Sequence, residues 1–303
     1  MVDPGGSSQF KQQCPICQSA VEVNRNTGLC QLSGHRINYD EGIWRFLPLA
    51  REVEFREFLN IYKTVRAREG WGAPSPEYYR SLPRVPNHDP QRGIWHIRER
   101  SFRRLVELIG KATHLKILDV GAGNAWLSNQ LARRGHTVAA LDLSDDVRDG
   151  LGARMNYNTY FECYQAEFDR LPFCDGQFDL TTFGAALHYS AAPEVSLREA
   201  KRISAEGGRI VVFDSPFYSN ETSGLAMIAA RDAAFAREYG FKRQTMNTGF
   251  FTEGTLQRAA ANAGLELKVW YADNSLGRRL RRAWTQWRTG REPARFPLMV
   301  LET

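Results

Sequence analysis

The sequence lacks any apolar run near 18 residues, so no segment is expected to cross a membrane as a helix. Its first twelve residues are polar and rich in glycine and serine, without the apolar stretch of a secretory leader. A disordered tail over 1–12 and a cytoplasmic location are the resulting expectations. There is no internal repeat. Cysteine is scarce, with five in 303 residues. Neither sign of charge dominates: 40 Lys and Arg against 34 Asp and Glu leave +6, which tolerates an anionic partner without demanding one. The remainder is ordinary for a globular chain, at 43% hydrophobic and 24% charged. The length leaves room for about two domains.

The stretch Ile117-Leu118-Asp119-Val120-Gly121-Ala122-Gly123-Asn124-Ala125-Trp126-Leu127 organises what is there. Ile117 to Val120 read as a buried strand, two glycines break it, and apolar spacing from Trp126 becomes helical. A glycine turn entering a helix lets backbone N–H groups approach a nucleotide-like ligand, because no Cβ stands in the way. No third glycine falls at the dinucleotide spacing. A second strand, Thr137 to Leu141, ends at Asp142, 19 residues past Gly123 (142 − 123). An acid so placed can accept hydrogen bonds from ribose hydroxyls. The plainer reading is that Asp142 caps a following helix beside Ser144 and Asp145.

Four segments then fall in order: Asp119-Val-Gly-Ala-Gly123, Leu141-Asp-Leu-Ser144, Glu167-Phe-Asp-Arg-Leu-Pro-Phe173 and Gln177-Phe-Asp-Leu180. Together they resemble the successive motifs of class I S-adenosylmethionine-dependent methyltransferases, over residues 95–303. The resemblance implies an α/β fold: a Rossmann-like seven-stranded sheet flanked by helices, its seventh strand antiparallel. It implies S-adenosylmethionine as cofactor, held by Asp119, Gly121, Ala122, Gly123, Asn124, Asp142, Leu143 and Gly184. Glu167 takes the place of the family's Asp at the adenine amino group, and the Phe168 backbone faces the adenine ring. Tyr79, in the segment before the core, is a candidate to cover the cofactor, or else a packing residue like Tyr78.

Cys14-Pro15-Ile16-Cys17, Cys30 and His35 form a second constellation. Cys-x2-Cys, a 12-residue gap and Cys-x4-His supply four ligands, enough for a closed structural zinc site. Packed, reduced cysteines with an exposed His35 are the plainer alternative. A disulfide is disfavoured by the cytoplasmic expectation. With Gly42 to Pro48, this segment looks like the zinc-ribbon head of some bacterial methyltransferases. These are the large-subunit rRNA guanine-N1 enzymes and proteins with a Trm112-like domain. His35 comes one residue later than in the rRNA family.

The expected organisation is a tail over 1–12, a zinc-ribbon-like module over 13–50, a helix and Pro-rich linker over 51–93, and the methyltransferase domain over 94–303. Residues 217–250 look like a helical cap inserted over the active edge. Helices are expected over 94–110 and 145–157. His188, just past the fourth strand, is a candidate general base, or else a residue that shapes the pocket. Asp214 and Tyr218 are candidate substrate contacts. Phe183-Gly-Ala-Ala186 is not Asn/Asp-Pro-Pro-Tyr/Phe, which disfavours adenine amino methylation. No cysteine is there for a covalent cytosine mechanism, and Cys163 and Cys174 read as structural.

Residues 275–295 carry Arg278, Arg279, Arg281, Arg282, Arg288, Arg291 and Arg295 with Trp284 and Trp287. Two readings stand: a basic surface for RNA phosphate or anionic lipid, or a solvated helix whose tryptophans pack on the sheet. The apolar, aromatic cap favours methyl transfer to a small-molecule acceptor. The rivals are rRNA base methylation and a non-catalytic cofactor-binding module that acts through partner contacts. The oligomeric state and the methylated atom are not legible in these residues.

Overall fold

The computed structural model describes residues 8–24, 26–73, 75–240, 249–270 and 276–302. A small hairpin opens the chain, β1 (Gln12–Gln13) against β2 (Ala20–Val21). An antiparallel run follows: β3 (Val23–Asn24), β4 (Thr27–Leu29), β5 (Arg36–Asp40) and β6 (Ile43–Arg45). Three helices come next: α1 (Leu49–Arg68), α2 (Pro76–Ser81) and α3 (Arg92–Ile109). The alternating core then begins with β7 (Lys116–Val120), α4 (Trp126–Ala132), β8 (Thr137–Asp142), β9 (Glu162–Gln165) and β10 (Phe178–Gly184). It continues through α5 (Pro193–Ile203), β11 (Ser204–Phe213), β12 (Phe217–Tyr218), α6 (Glu221–Tyr239) and β13 (Phe251–Thr252). The chain closes with α7 (Glu253–Asn262), β14 (Glu266–Trp270), α8 (Leu276–Thr289) and β15 (Leu298–Glu302).

The sheet order is β14-β15-β11-β10-β7-β8-β9-β6-β5-β4-β3. From β11 to β9 the strands are parallel, and β15 alone runs antiparallel between β11 and β14. Strand order reverses between β7 and β10, which opens a crevice at their carboxyl ends. Period-2 alternation divides the core between the two faces. Leu118, Val120 and Val212 join one cluster with α5 and α7, while Ile117 and Val211 join another with α3 and α4.

Three expectations need correction. Among the described residues the sheet extends past the seven strands from β14 to β9 to eleven, because β6 pairs parallel with β9 and carries β5, β4 and β3 with it. The N-terminal segment is thereby part of the main core: Cys14, Ile37, Trp44 and Phe46 pack with Val120, Tyr164 and Phe173. Nor is 8–12 a loose tail, since Phe10 is buried and stacks on Phe178 at 4.9 Å. The helix expected over 145–157 is a short 3-10 turn at Leu151–Asn156. Asp146 Oδ1 accepts the N–H groups of Arg148 and Asp149, and this local alternative competes with the helix.

Part of the expected cap, residues 241–248, lies outside the described residues. What is described of it is β12, α6 and Phe250, whose ring packs edge-on against Tyr218 and fills the space beside Gly224.

Candidate functional site

The crevice is built from the ends of five parallel strands. β7 ends in a turn where Gly121 (φ 70°) and Gly123 (φ 54°) lie in the left-handed region. A Cβ at Gly121 would overlap that of Ala186 and crowd Phe168. The turn hangs on the neighbouring strand: Gly121 and Ala122 donate their N–H groups to Leu141 O at 2.7 and 3.0 Å. Asn124 stays in the backbone framework, its Oδ1 accepting from Trp126 N–H and its carbonyl from the Tyr157 hydroxyl. Ala125 (φ 58°) at the N-terminus of α4, and Ala185 (φ 57°) and Asp214 (φ 57°) at the ends of β10 and β11, hold left-handed conformations. Strain of this kind persists where the surrounding structure over-determines it, and it gathers at functional sites.

Three carboxylates face this edge, Asp119 and Asp214 buried and Asp142 half-buried. Asp119, at 1% exposure, accepts from Ser128 Oγ at 2.7 Å and Thr182 Oγ1 at 3.1 Å. Asp142 accepts the Gly123 N–H at 2.8 Å through Oδ2 and the Ser144 N–H at 2.8 Å through Oδ1. Asp214 accepts from Ser101 Oγ at 2.5 Å. Burial raises all three to about 6. Leu143 follows Asp142, and its carbonyl takes a hydrogen bond from Gln165 Nε2.

A cleft beside the glycine turn is lined by Asp119, Gly121, Trp126, Gly184, Asp214 and Arg98. Arg98 was not foreseen. It sits in α3 with its guanidinium 4.9 Å from the Trp71 ring and 4.6 Å from the Trp95 ring. Burial and the neighbouring Arg66 lower its proton affinity, while Asp214 and Asp149 oppose that. Its one sequence signal is an arginine on the apolar side of the helix, between Trp95 and Phe102.

Helix α1 lies across the same edge, tied by ion pairs that the sequence did not suggest. Arg51 grips Glu167 with two nitrogens, Nε to Oε2 at 2.9 Å and Nη2 to Oε1 at 2.5 Å. Lys63 and Arg45 meet Asp145 at 3.5 and 2.7 Å. Arg66 pairs with the buried Asp149 and stacks over Trp71 at 3.7 Å. Glu167, expected at an adenine amino group, is therefore also the anchor of α1. Phe168 stands edge-on to Phe183 beside Gly121.

Tyr79 is buried, its hydroxyl donates to Arg148 O at 2.8 Å, and its ring stands edge-on to Tyr157. His188 is buried, its Nδ1 lies 3.1 Å from Ser215 Oγ, and its ring is 4.3 Å from that of Tyr189. Burial, then Arg231, lower His188 to about 3, so it is neutral near pH 7 and a weak base. Tyr218 is buried beside Phe250.

The sulfurs of Cys14, Cys17 and Cys30 lie within 4.8 Å of one another, a group able to hold a metal ion. Hydrogen bonds from Ser19 and Ser33 lower the Cys30 thiol to about 5. His35 is not in this group, and its Nε2 lies 3.3 Å from Phe46 O. Cys163 is buried at the centre of the sheet, where burial raises it to about 12.

Residues 118–212 match the family model of a methyltransferase domain. Malonyl-acyl-carrier-protein O-methyltransferase of Erwinia pyrifoliae is 31% identical over 109 residues, 36% of this chain and 40% of that protein. Demethylmenaquinone methyltransferase of Renibacterium salmoninarum is 33% identical over 126 residues, 41% of this chain and 51% of that protein. The chain thus spans about half or less of the length of these curated relatives. In fold, it superposes on magnesium protoporphyrin IX methyltransferase of Synechocystis, crystallised with S-adenosylhomocysteine. The TM-score is 0.51 at 14% identity, covering 83% of this chain and 99% of that one.

Proposed function

We propose that this chain, which carries a class I S-adenosylmethionine-dependent methyltransferase domain, moves a methyl group from S-adenosylmethionine to a nucleophilic atom of a small-molecule acceptor. One observation carries the reading: Asp142 and the Gly121–Gly123 turn are hydrogen-bonded to each other at the point where strand order reverses. The donor set suits the cofactor. Asp142 has the acceptor capacity for ribose hydroxyls, Asp119 and Asp214 offer negative charge to an ammonium, and Arg98 offers a fork to a carboxylate. Glu167, Phe168 and the α1 anchor Arg51 form the adenine end in this reading.

When bound, the cofactor supplies a methyl carbon already activated by its sulfonium. The acceptor's nucleophilic atom forms a bond to that carbon as the carbon–sulfur bond breaks, leaving S-adenosylhomocysteine. The protein's part is chiefly to position donor and acceptor and exclude water. His188, neutral and held at Ser215, shapes the acceptor wall in this account, and any proton the acceptor loses leaves by another route.

The curated relatives named above act, by their names, on a carrier-bound malonyl group and on demethylmenaquinone, which supports an organic acceptor. A second reading, RNA base methylation, draws on the arginines of α8. Methyl-labelled S-adenosylmethionine offered with carboxylate, quinol and amine acceptors, and separately with total RNA, tests both. Label in a small acceptor supports the proposal; label in RNA alone replaces it, and label in neither returns the non-catalytic reading.

A structural zinc belongs to the same proposal, held by Cys14, Cys17 and Cys30 with His35 as fourth ligand. Burial lowers the proton affinity of His35, against the opposing pull of the Phe46 carbonyl and Cys30, which favours the neutral imidazole that a metal ligand requires. Zinc there would brace the hairpin that docks on β9.

A further inference from the structure

Helix α8 shows its apolar side to solvent. Leu280, Trp284 and Trp287, spaced i, i+4 and i+7, are 62%, 53% and 82% exposed. Among its described side chains, the half-buried ones are Arg282 and Thr285. A surface helix of a globular protein has the reverse arrangement. Its polar side is what holds it: Arg282 Nη2 donates to Pro293 O at 3.3 Å and stands 3.9 Å from Glu292. The tryptophans therefore do not pack on the sheet, and the solvated-helix expectation fails on that point. Over 276–289 the sequence has five arginines and no acidic residue.

We propose that this face docks on an anionic phospholipid surface. Trp284, Trp287 and Leu280 enter the boundary between headgroups and acyl chains, and the exposed Arg281 and Arg288 meet lipid phosphates at its rim. Arg288 already lies over the Trp284 ring at 4.7 Å, which places a cation at the edge of the apolar patch. Charge complementarity selects this occupant. A second copy seated face to face would bring arginine-rich flanks together, and like charges repel. An RNA strand would leave Leu280 with nothing apolar to bury against. At 14 residues α8 is too short to cross a bilayer, and among the described residues no helix is long and apolar enough to do so.

The chain returning from α8 runs along β12. Arg295 and Phe217 exchange backbone hydrogen bonds at 2.9 and 2.8 Å, and Glu292 accepts from Ser219. Docking would thus set β12 and α6 near the lipid, whatever the chemistry of the site proves to be.

Sedimentation of the full chain with phosphatidylcholine vesicles, with and without phosphatidylglycerol, tests this. Expected is co-sedimentation with the anionic vesicles, a blue shift of tryptophan emission, and release by salt. Trp284→Glu/Trp287→Glu should weaken vesicle binding by on the order of tenfold or more, and Arg281→Glu/Arg288→Glu by a similar factor. All four side chains are exposed, so far-ultraviolet circular dichroism and S-adenosylhomocysteine affinity should not change. No binding to either vesicle overturns the proposal, as does equal binding by the variants. RNA binding, or a dimer lost in the variants, without vesicle binding would assign the face to that other occupant.

Discussion

Asp142 accepts the amide N–H of Gly123 at 2.8 Å, joining the end of one parallel strand to the turn that follows the next. Its second oxygen takes the Ser144 N–H. The carboxylate is thus both a prop for the turn and a charged acceptor beside it. Replacing it with alanine removes both roles. Asp142→Ala should weaken S-adenosylhomocysteine binding by tenfold or more, since a hydrogen bond to a charged group is worth about 1.5–3 kcal/mol. Calorimetric titration checks this; unchanged affinity would remove Asp142 from the site.

The pH dependence has a definite sign. Asp119, Asp142 and Asp214 are raised by burial to about 6, above the unfolded value of about 3.9. A carboxyl so shifted contributes stability below about pH 4 that is lost as pH rises toward 6. A ligand bearing an ammonium and ribose hydroxyls prefers the ionised forms, so its affinity runs the other way. Binding should fall about tenfold from pH 7 to pH 5 for each carboxylate that must be ionised. A flat profile over that range would contradict the assignment of these acids.

The Arg66–Asp149 pair is largely buried at both ends, with 16% and 8% side-chain exposure. Removing one partner of such a pair costs about 3–5 kcal/mol, because the other is left uncompensated. Arg66→Ala should therefore lower thermal stability more than Arg66→Ala/Asp149→Asn does. If the single and double variants melt alike, the pair does not hold α1.

The turn and Asp142 were legible in the sequence because their relation is local, a strand, a glycine turn and an acid at fixed spacing. The ties of α1 were not. Arg51 and Glu167 are 116 residues apart, Arg66 and Asp149 are 83 apart, and nothing in a helix of mixed charge says which acids it will meet. Gly42 to Pro48 was legible only as the end of the zinc-ribbon-like segment, and the pairing of Ile43–Arg45 with β9 is chosen by the tertiary fold. The helix α8 was legible as basic and aromatic, while the side it turns outward was not. His188 looked like a base by residue type, and only its burial shows how weak a base it is.

Metal content tests the N-terminal cluster. One zinc per chain is expected by elemental analysis, and Cys14→Ser should lose it together with several degrees of thermal stability. Because this segment shares the main core, the loss should also loosen the β6–β9 pairing, read by hydrogen exchange at Trp44. A metal-free wild-type chain of equal stability would refute the zinc site.

Titration of the full wild-type chain with S-adenosylhomocysteine tests the central claim most directly. The account predicts saturable binding of one molecule per chain, tight enough to define a midpoint. Absence of any saturable heat at neutral pH would contradict it.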